Sequence, residues 1–340
     1  MMVRSKAPLR IGLAGGGTDV SPYSDLYGGA VLNASINLYA HISVEEWDKE
    51  EILIRMEDKN TEERFPVTNE LELDGNLNLV KGVYNRIMKE FRLNPVPFRL
   101  SASVDAPPGS GLGSSSTLVV AILGAFSEWF RLPLGEYDIA WLAYDIERND
   151  LGMAGGKQDQ YAATFGGVNF MEFYKNDKVI VNPLRIKEQI LNELSNNIVL
   201  YYTETSRLSS KIIETQQRNV KEGVTSSVDA MHKLKELAVS MKESILKGEI
   251  DSIGTLLNQS WNYKKQMAGE ISNPRIDNIY ETALKAGATG GKISGAGGGG
   301  YMFFYCPGNK RYDVVRVLSQ FGGHEQKYEF IKRGLETWSI

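Results

Sequence analysis

Pro107-Pro108-Gly109-Ser110-Gly111-Leu112-Gly113-Ser114-Ser115-Ser116-Thr117 decides how this chain is read. Two prolines hold the entry extended and resist helix, so the turn falls on the glycines. Glycine permits positive φ and puts no side chain between the main chain and a ligand. The apolar run Leu118–Phe126 that follows predicts a helix buried on nearly every side. The serines are placed to cap it, while its first N–H groups and its dipole face the loop. Such geometry favours an anion, above all a phosphate.

Two well-known phosphate loops are excluded. A Walker loop needs a lysine, and none lies between Pro107 and Thr117. The dinucleotide fingerprint fails because Ser114 stands where its third glycine belongs. A cradle without its own lysine needs a metal or distant cations, which points to Mg²⁺ held by a serine hydroxyl and a carboxylate from elsewhere.

Upstream, residues 3–13 read as a strand entering Ala14-Gly15-Gly16-Gly17-Thr18-Asp19. The triple glycine implies main chain lying close to something, with the Asp19 carboxylate delivered beside it. Equally, Asp19 with Ser21-Pro22 is ordinary turn chemistry. Alternation predicts strands over 38–44, 52–56 and 98–104, and a helix over 79–91, with 57–76 a polar connection.

Downstream, 134–149 reads as a helix with Glu147 at the edge of its apolar face. There it is either half-buried and in need of a cation, or a surface partner of Arg148. Gly155-Gly156-Lys157-Gln158-Asp159-Gln160-Tyr161 breaks the chain, and Asp159 is either a plain N-cap or a working carboxylate. A hairpin follows, 168–174 and 178–181, with Asn176-Asp177 at its tip. Beyond residue 184 come a strand at 198–202, a hydroxyl-rich stretch around Arg207, long helices, and a glycine run from Gly290 to Gly300. Gly295–Gly300 matches the dinucleotide pattern, but an aromatic strand follows it rather than a helix, so that reading is discarded. A helix at 311–321 and a strand at 327–331 close a two-domain α+β chain, divided as 1–183 and 184–340.

A length of 340 residues allows two substantial cores, and the 42% hydrophobic, 24% charged composition is that of an ordinary soluble protein. A net charge of −4 argues against nucleic acid or an anionic membrane as partner. Cys306 is the single cysteine, so a cytoplasmic setting without an intrachain disulfide is expected. His41, His232 and His324 lie far apart, which disfavours a histidine metal site. Neither a signal-peptide core nor an apolar run of membrane-spanning length is evident.

Three glycine-rich motifs in this order, Ala7–Asp19, Pro107–Ser116 and Lys292–Gly300, resemble the galactokinase, homoserine kinase, mevalonate kinase and phosphomevalonate kinase (GHMP) family along essentially the whole chain. The first departs from many members, which carry Gly-Glu-His where Gly15-Gly16-Gly17 stands. That variant, with Thr18-Asp19-Val20, Gly28–Asn33 and the run 155–161, is similar to the D-glycero-D-manno-heptose 7-phosphate kinase subgroup. The resemblance implies an N-terminal domain like the second domain of ribosomal protein S5 and a ferredoxin-like C-terminal domain.

It further implies an ATP-dependent sugar kinase making the 1,7-bisphosphate for lipopolysaccharide or S-layer glycans. Pro108, Gly109, Ser110, Gly111, Leu112, Gly113, Ser114, Ser115 and Ser116 would wrap the ATP phosphates. Ser115 and Glu147 would hold Mg²⁺, Asp159 would be the catalytic base, and Arg10 its cationic neighbour. Gly16, Gly17, Thr18, Asp19 and Gly297 would border the sugar, with Asp19 on its hydroxyls. The sugar's own phosphate needs a cationic pocket, for which the candidates are Arg207 with Ser206, Ser209 and Ser210, then Lys157, then Lys6 or Arg4. A monomer or homodimer is expected. Two readings stay open beside this one: an anomeric kinase of an unphosphorylated sugar of the L-fucose or galactose type, and a non-catalytic sugar and ATP sensor.

Overall fold

The computed structural model describes residues 1–205 and 209–340, Ser209 by its main chain alone. The first sheet is built on two long strands, β1 (Met2–Ala14) and β2 (Gly29–Glu46), which pair antiparallel along most of their length. The ladder shifts register between Pro8 and Arg10, where proline lacks the donor a regular ladder needs. Irregularities of this kind re-aim the next side chain, and here that residue is Arg10. β3 (Glu51–Met56) and β4 (Thr61–Pro66) form a hairpin, and β5 (Phe98–Val104) runs parallel to β3. β5 pairs with the second half of β2, whereas β6 (Val168–Phe173) pairs with its first half and carries β7 (Val179–Pro183).

A second sheet follows from β8 (Ile198–Tyr202), β9 (Gly290–Ile293), β10 (Tyr301–Tyr305) and β11 (His324–Glu325), in the order β11-β8-β10-β9 and antiparallel throughout. Helices Thr225–Lys247 and Ile253–Met267 pack on each other, the second against β9 and β10 of this sheet and the first against β1 and β2. The start of the helix Pro274–Lys285 follows the sequence signal: Asn273 accepts the Ile276 N–H at 3.0 Å and Pro274 opens the first turn.

The chain then returns to its beginning. β12 (Glu336–Ser339) pairs antiparallel with β1, completing the first sheet in the order β12-β1-β2-β5-β3-β4. A division at 183/184 leaves this return out, because the final strand of the second half belongs to the first sheet. The strand expected at 327–331 forms only one bridge, Ile36 with Phe330. β4 lies within the stretch read as a polar connection; it is an edge strand with exposed Glu62 and Arg64, and charge on an edge hides a strand from an apolar pattern.

The central helix Ser114–Phe130 is buried along almost its full length, as its composition predicts, and packs on β1, β2 and β12. A second core joins the halves: Leu9, Ile11, Leu13 and Leu32 of the first sheet meet Leu200, Tyr301, Phe303 and Leu257 of the second part. Among the described residues no helix is long and apolar enough to cross a membrane.

Candidate active site

The glycine loop leaves β5 and turns at Gly109, Gly111 and Gly113, with φ of 72°, 83° and 79°. Each glycine answers to something close. A Cβ on Gly111 would lie 2.3 Å from the Ser294 carbonyl oxygen, and one on Gly113 would lie 3.2 Å from the Asp159 carboxylate. The loop is therefore clamped between the third glycine motif and the helix Gln158–Phe165.

The serines do not cap the central helix. Gly113 is its N-cap and no side chain supplies the capping hydrogen bond. The first helical bond runs from the Thr117 N–H to the Gly113 carbonyl, which leaves the amides of Ser114, Ser115 and Ser116 to whatever enters the cleft. Pro108, Gly109, Gly111, Gly113, Ser114, Ser115 and Ser116 line a cleft of about 520 Å³. Ser110 and Leu112 face the other way, fully buried, with the Ser110 carbonyl accepting from Tyr301 N–H and the Leu112 carbonyl from Arg10 N–H.

Across the cleft, Arg10 holds Asp159. Its Nε donates to Asp159 Oδ1 at 2.7 Å, its Nη2 lies 2.5 Å from the same oxygen, and its Nη1 donates to the Gly111 carbonyl at 2.6 Å. Arg10 is almost wholly buried, whereas the Asp159 side chain is 25% exposed, so one face of the carboxylate is open to the cleft. Asp159 stands in the first turn of its helix without capping it, which removes the plain N-cap reading.

Glu147 lies in a turn of π-helix, Ile146–Asp150, fully buried rather than at the surface. Its Oε2 accepts from the Gln160 side-chain amide, Ser116 also bonds to it, and Arg148 is 3.8 Å away. Burial pushes its pKa up, and the nearby Asp159 adds to that. Among the described residues no three His, Cys, Asp or Glu side chains form a metal cage.

Asp19 is buried and serves a role the sequence did not suggest. Its Oδ2 accepts the main-chain N–H groups of Lys157 and Gln158 at 3.0 and 3.1 Å. Its Oδ1 accepts from Gly17 N–H at 3.1 Å and Gln158 Nε2 at 3.0 Å. The carboxylate thus caps, from far away in sequence, the helix that carries Asp159. Gly156 permits the approach, since a Cβ there would sit 1.9 Å from Asp19 Oδ2.

Other expected sugar residues are placed less favourably. Gly16 and Gly17 line the cleft. The Thr18 hydroxyl is spent on the carbonyls of Gly15 and Ala30. Lys157 turns its ammonium to Asp177 at 2.8 Å and Asp25 at 3.6 Å, outside the cleft. Gly297 packs on Ile271 and does not line the cleft. Ser206 and Arg207 lie outside the described residues.

Among the lining residues with long polar side chains, Lys264, Glu214 and Gln216 escaped the sequence reading. The first left a signal. Ile253, Leu257, Trp261 and Lys264 share the buried face of one helix, and a lysine in an apolar stripe requires a reason. Lys264 donates to the Gly295 carbonyl at 2.6 Å, and Lys292 to the Gly12 carbonyl at 3.1 Å.

The chain is similar to known proteins along essentially its whole length. The family model for the GHMP kinases N terminal domain matches residues 78–167, and that for the GHMP kinases C terminal region matches 241–324. The chain is 47% identical over 338 residues to a D-glycero-alpha-D-manno-heptose 7-phosphate kinase of Campylobacter jejuni, covering 99% of each protein. A solved D-glycero-D-manno-heptose 1-phosphate kinase from Bacteroides thetaiotaomicron superposes with a TM-score of 0.85 at 46% identity, covering 99% of both chains. Lactococcus lactis galactokinase complexed with galactose shares the fold, at a TM-score of 0.78 and 20% identity over 98% of this chain and 95% of that one. On its motifs, its fold and these likenesses, the chain belongs to the GHMP kinases.

Proposed function

We propose that this chain transfers the γ-phosphoryl group of ATP to the anomeric hydroxyl of D-glycero-D-manno-heptose 7-phosphate. The observation that carries the reading is the Arg10–Asp159 pair, half-open to the cleft and set beside uncapped amides of the central helix. The likeness to the Campylobacter jejuni enzyme over 99% of both proteins supports the choice of sugar. Phosphoryl transfer needs positioning and charge neutralisation more than covalent help. The amides of Ser114 to Ser116, with the backbone of Gly109 to Gly113, cradle the triphosphate. Asp159 takes the proton of the anomeric hydroxyl as its oxygen bonds to the γ-phosphorus. The bond to the β–γ bridging oxygen breaks, and ADP leaves with the electron pair. Arg10 fixes the carboxylate of Asp159 and adds positive charge where the phosphoryl group passes.

The site suits a divalent ion. A buried carboxylate whose burial favours its neutral form is stabilised by a cation, and Glu147 shares the cleft with the Ser115 hydroxyl. With so few protein donors, phosphate oxygens and water would complete the shell, which is how Mg²⁺ is held beside nucleotides. Bound there, Mg²⁺ offsets charge on the phosphate oxygens.

Asp159→Asn tests the assignment. ATP binding, followed by calorimetry, should persist, while turnover on heptose 7-phosphate falls by at least about 10²-fold. Unchanged turnover removes Asp159 as base. Two-dimensional ³¹P–¹H NMR of the product locates the new phosphate: a signal coupled to the anomeric proton supports the proposal, and any other position refutes it.

A further inference from the structure

Four lysines of the chain are buried to within 3% of complete burial, and they fall into two kinds. Lys81 meets the carboxylates of Glu63 and Asp74, and Lys157 those of Asp25 and Asp177. Both pairs lie outside the active-site cleft. Lys264 and Lys292 line that cleft, and among the described residues neither meets a carboxylate: Lys264 donates to the Gly295 carbonyl, and Lys292 to those of Gly12 and Leu13 while lying over the Phe303 ring. Burying a charge without a counter-charge costs several kcal/mol, and the first two lysines demonstrate that this fold can supply carboxylates to a buried ammonium.

The two cations are neighbours of each other and of Arg10. Proximity to Arg10 disfavours charge on both, and proximity to Lys264 disfavours it on Lys292, with desolvation the larger cause in each case. Asp19, the nearest acid to act on Lys264, is occupied by four N–H donors. Arg10 already serves Asp159. The two lysines therefore lack a carboxylate partner in the wall of a cleft that solutes can enter.

We infer that Lys264 and Lys292 form, beside Arg10, a buried cationic seat for a phosphate group at the acceptor end of the cleft. The inference rests on the proposal that a phosphorylated sugar enters here. It replaces Lys157, whose ammonium is already paired outside the cleft, as the described cation for that role. A phosphate in this position comes from one of two sources, the acceptor's own ester or the group arriving from ATP. The dianion supplies the missing counter-charge in either case, and its oxygens accept from both ammoniums.

The free enzyme carries Lys264 with a pKa lowered to about 8, through desolvation first and Arg10 second, opposed by Asp19. Lys292, Arg148, Glu147, Asp159 and Glu214 are the other charged groups in the same cleft. An anion that needs Lys264 protonated should bind about tenfold more weakly at pH 9 than at pH 7, since the protonated fraction falls by that factor about a pKa near 8.

The test uses the whole enzyme with Lys264→Met and Lys292→Met, and Lys264→Gln as a second variant should the first fold poorly. Inorganic phosphate binding is measured by calorimetry at pH 7 and pH 9, with melting temperature alongside. The inference expects Lys264→Met to lose phosphate affinity at least tenfold, to lose the pH dependence, and to melt no lower than wild type. Steady-state kinetics separates the sources. A tenfold rise in KM for heptose 7-phosphate, with KM for ATP unchanged, assigns the seat to the acceptor's ester. A fall in kcat with both KM values kept assigns it to the group in transit. Phosphate affinity, both KM values and kcat all within twofold of wild type overturn the inference. Wild type that uses heptose and heptose 7-phosphate equally well refutes the proposed substrate instead, so the two failures are distinguishable.

Discussion

Asp19→Asn separates positioning from sugar binding. A carboxylate has about four acceptor sites, and in Asp19 all four are taken: by the main-chain N–H groups of Gly17, Lys157 and Gln158, and by Gln158 Nε2. Asparagine offers one oxygen. If that oxygen keeps the two helix amides, its own NH₂ faces the Gly17 N–H and the Gln158 side chain. Gln158 can present its Oε1 instead, which has no partner among the described residues; Gly17 N–H is then left unsatisfied. Two charge-assisted bonds become neutral, at about 1 kcal/mol each, and one buried donor goes unmet for about 1–3 kcal/mol. The expected loss of stability is about 3–5 kcal/mol. Asp159 follows Gln158 directly, so a loosened cap displaces the proposed base, and a misplacement of about 1 Å costs about 10²-fold in rate. ADP-release kinetics with both substrates varied should therefore give a kcat about 100-fold lower, with KM for the sugar within a few-fold of wild type. Gly156→Ala should mimic it, because its Cβ would meet Asp19 Oδ2 at 1.9 Å. The two losses should not add in the double variant, since both remove the same cap. A rise in sugar KM of more than tenfold at unchanged kcat would falsify this reasoning and return Asp19 to the sugar hydroxyls.

Gly111→Ala combines a φ of 83° with a Cβ 2.3 Å from the Ser294 carbonyl. Left-handed backbone alone costs about 1–2 kcal/mol, and the clash parts the second motif from the third; nucleotide titration should register at least a tenfold loss of ATP affinity, and retention of wild-type affinity would refute the clamp. Glu147→Gln removes a carboxylate whose pKa burial raises. A folded pKa above the unfolded value means that this group's contribution favours folding below the unfolded pKa, near 4.3, and is lost as pH rises through the folded pKa. In the absence of Mg²⁺ the variant should thus be the more stable protein at pH 7, with the gap closing towards pH 4 in urea titrations. Its activity should fall sharply at millimolar Mg²⁺, and a variant needing no more Mg²⁺ than wild type would remove Glu147 from the metal site.

Much of this was legible in the chain, and what was not has physical reasons. The central helix announced itself because an uninterrupted apolar run after glycines has few other solutions, and the hairpin tip at Asn176-Asp177 has positive φ at both residues, as such turns require. Arg10 and Asp159 were placed by motif, and their contact needs only that β1 and the helix Gln158–Phe165 abut. The serine cap failed because glycine took the cap position and left the amides free. Lys157, a lysine between glycines and Asp159, looks poised for substrate in the sequence; that its ammonium meets Asp177 at the hairpin tip is a tertiary fact. β12 was missed because Glu336–Ser339 is short, exposed from Thr337 to Ser339 and recognisable only by what β1 offers it.

The glycine motifs also mean more than contact with a ligand. A Cβ on Gly111 would strike Ser294, one on Gly295 would strike Gly111, and one on Gly300 would strike the Ser110 carbonyl. The second and third motifs thus touch main chain to main chain, with the Tyr301 N–H donating to the Ser110 carbonyl at 2.8 Å and the Ser294 hydroxyl donating to the Gly111 carbonyl at 2.9 Å. Gly15 and Gly29 bring the first motif equally close to its own strand. Glycine here lets two halves of a chain interlock without side chains between them, so that the uncapped amides of Ser114 to Ser116 are fixed before any ligand arrives. Donors fixed in advance need no reorganisation as charge develops, and this makes them worth more to the transition state than the same groups on a mobile loop. Arg10 completes the lock, bonded at once to the Gly111 carbonyl of the loop and to the Asp159 carboxylate.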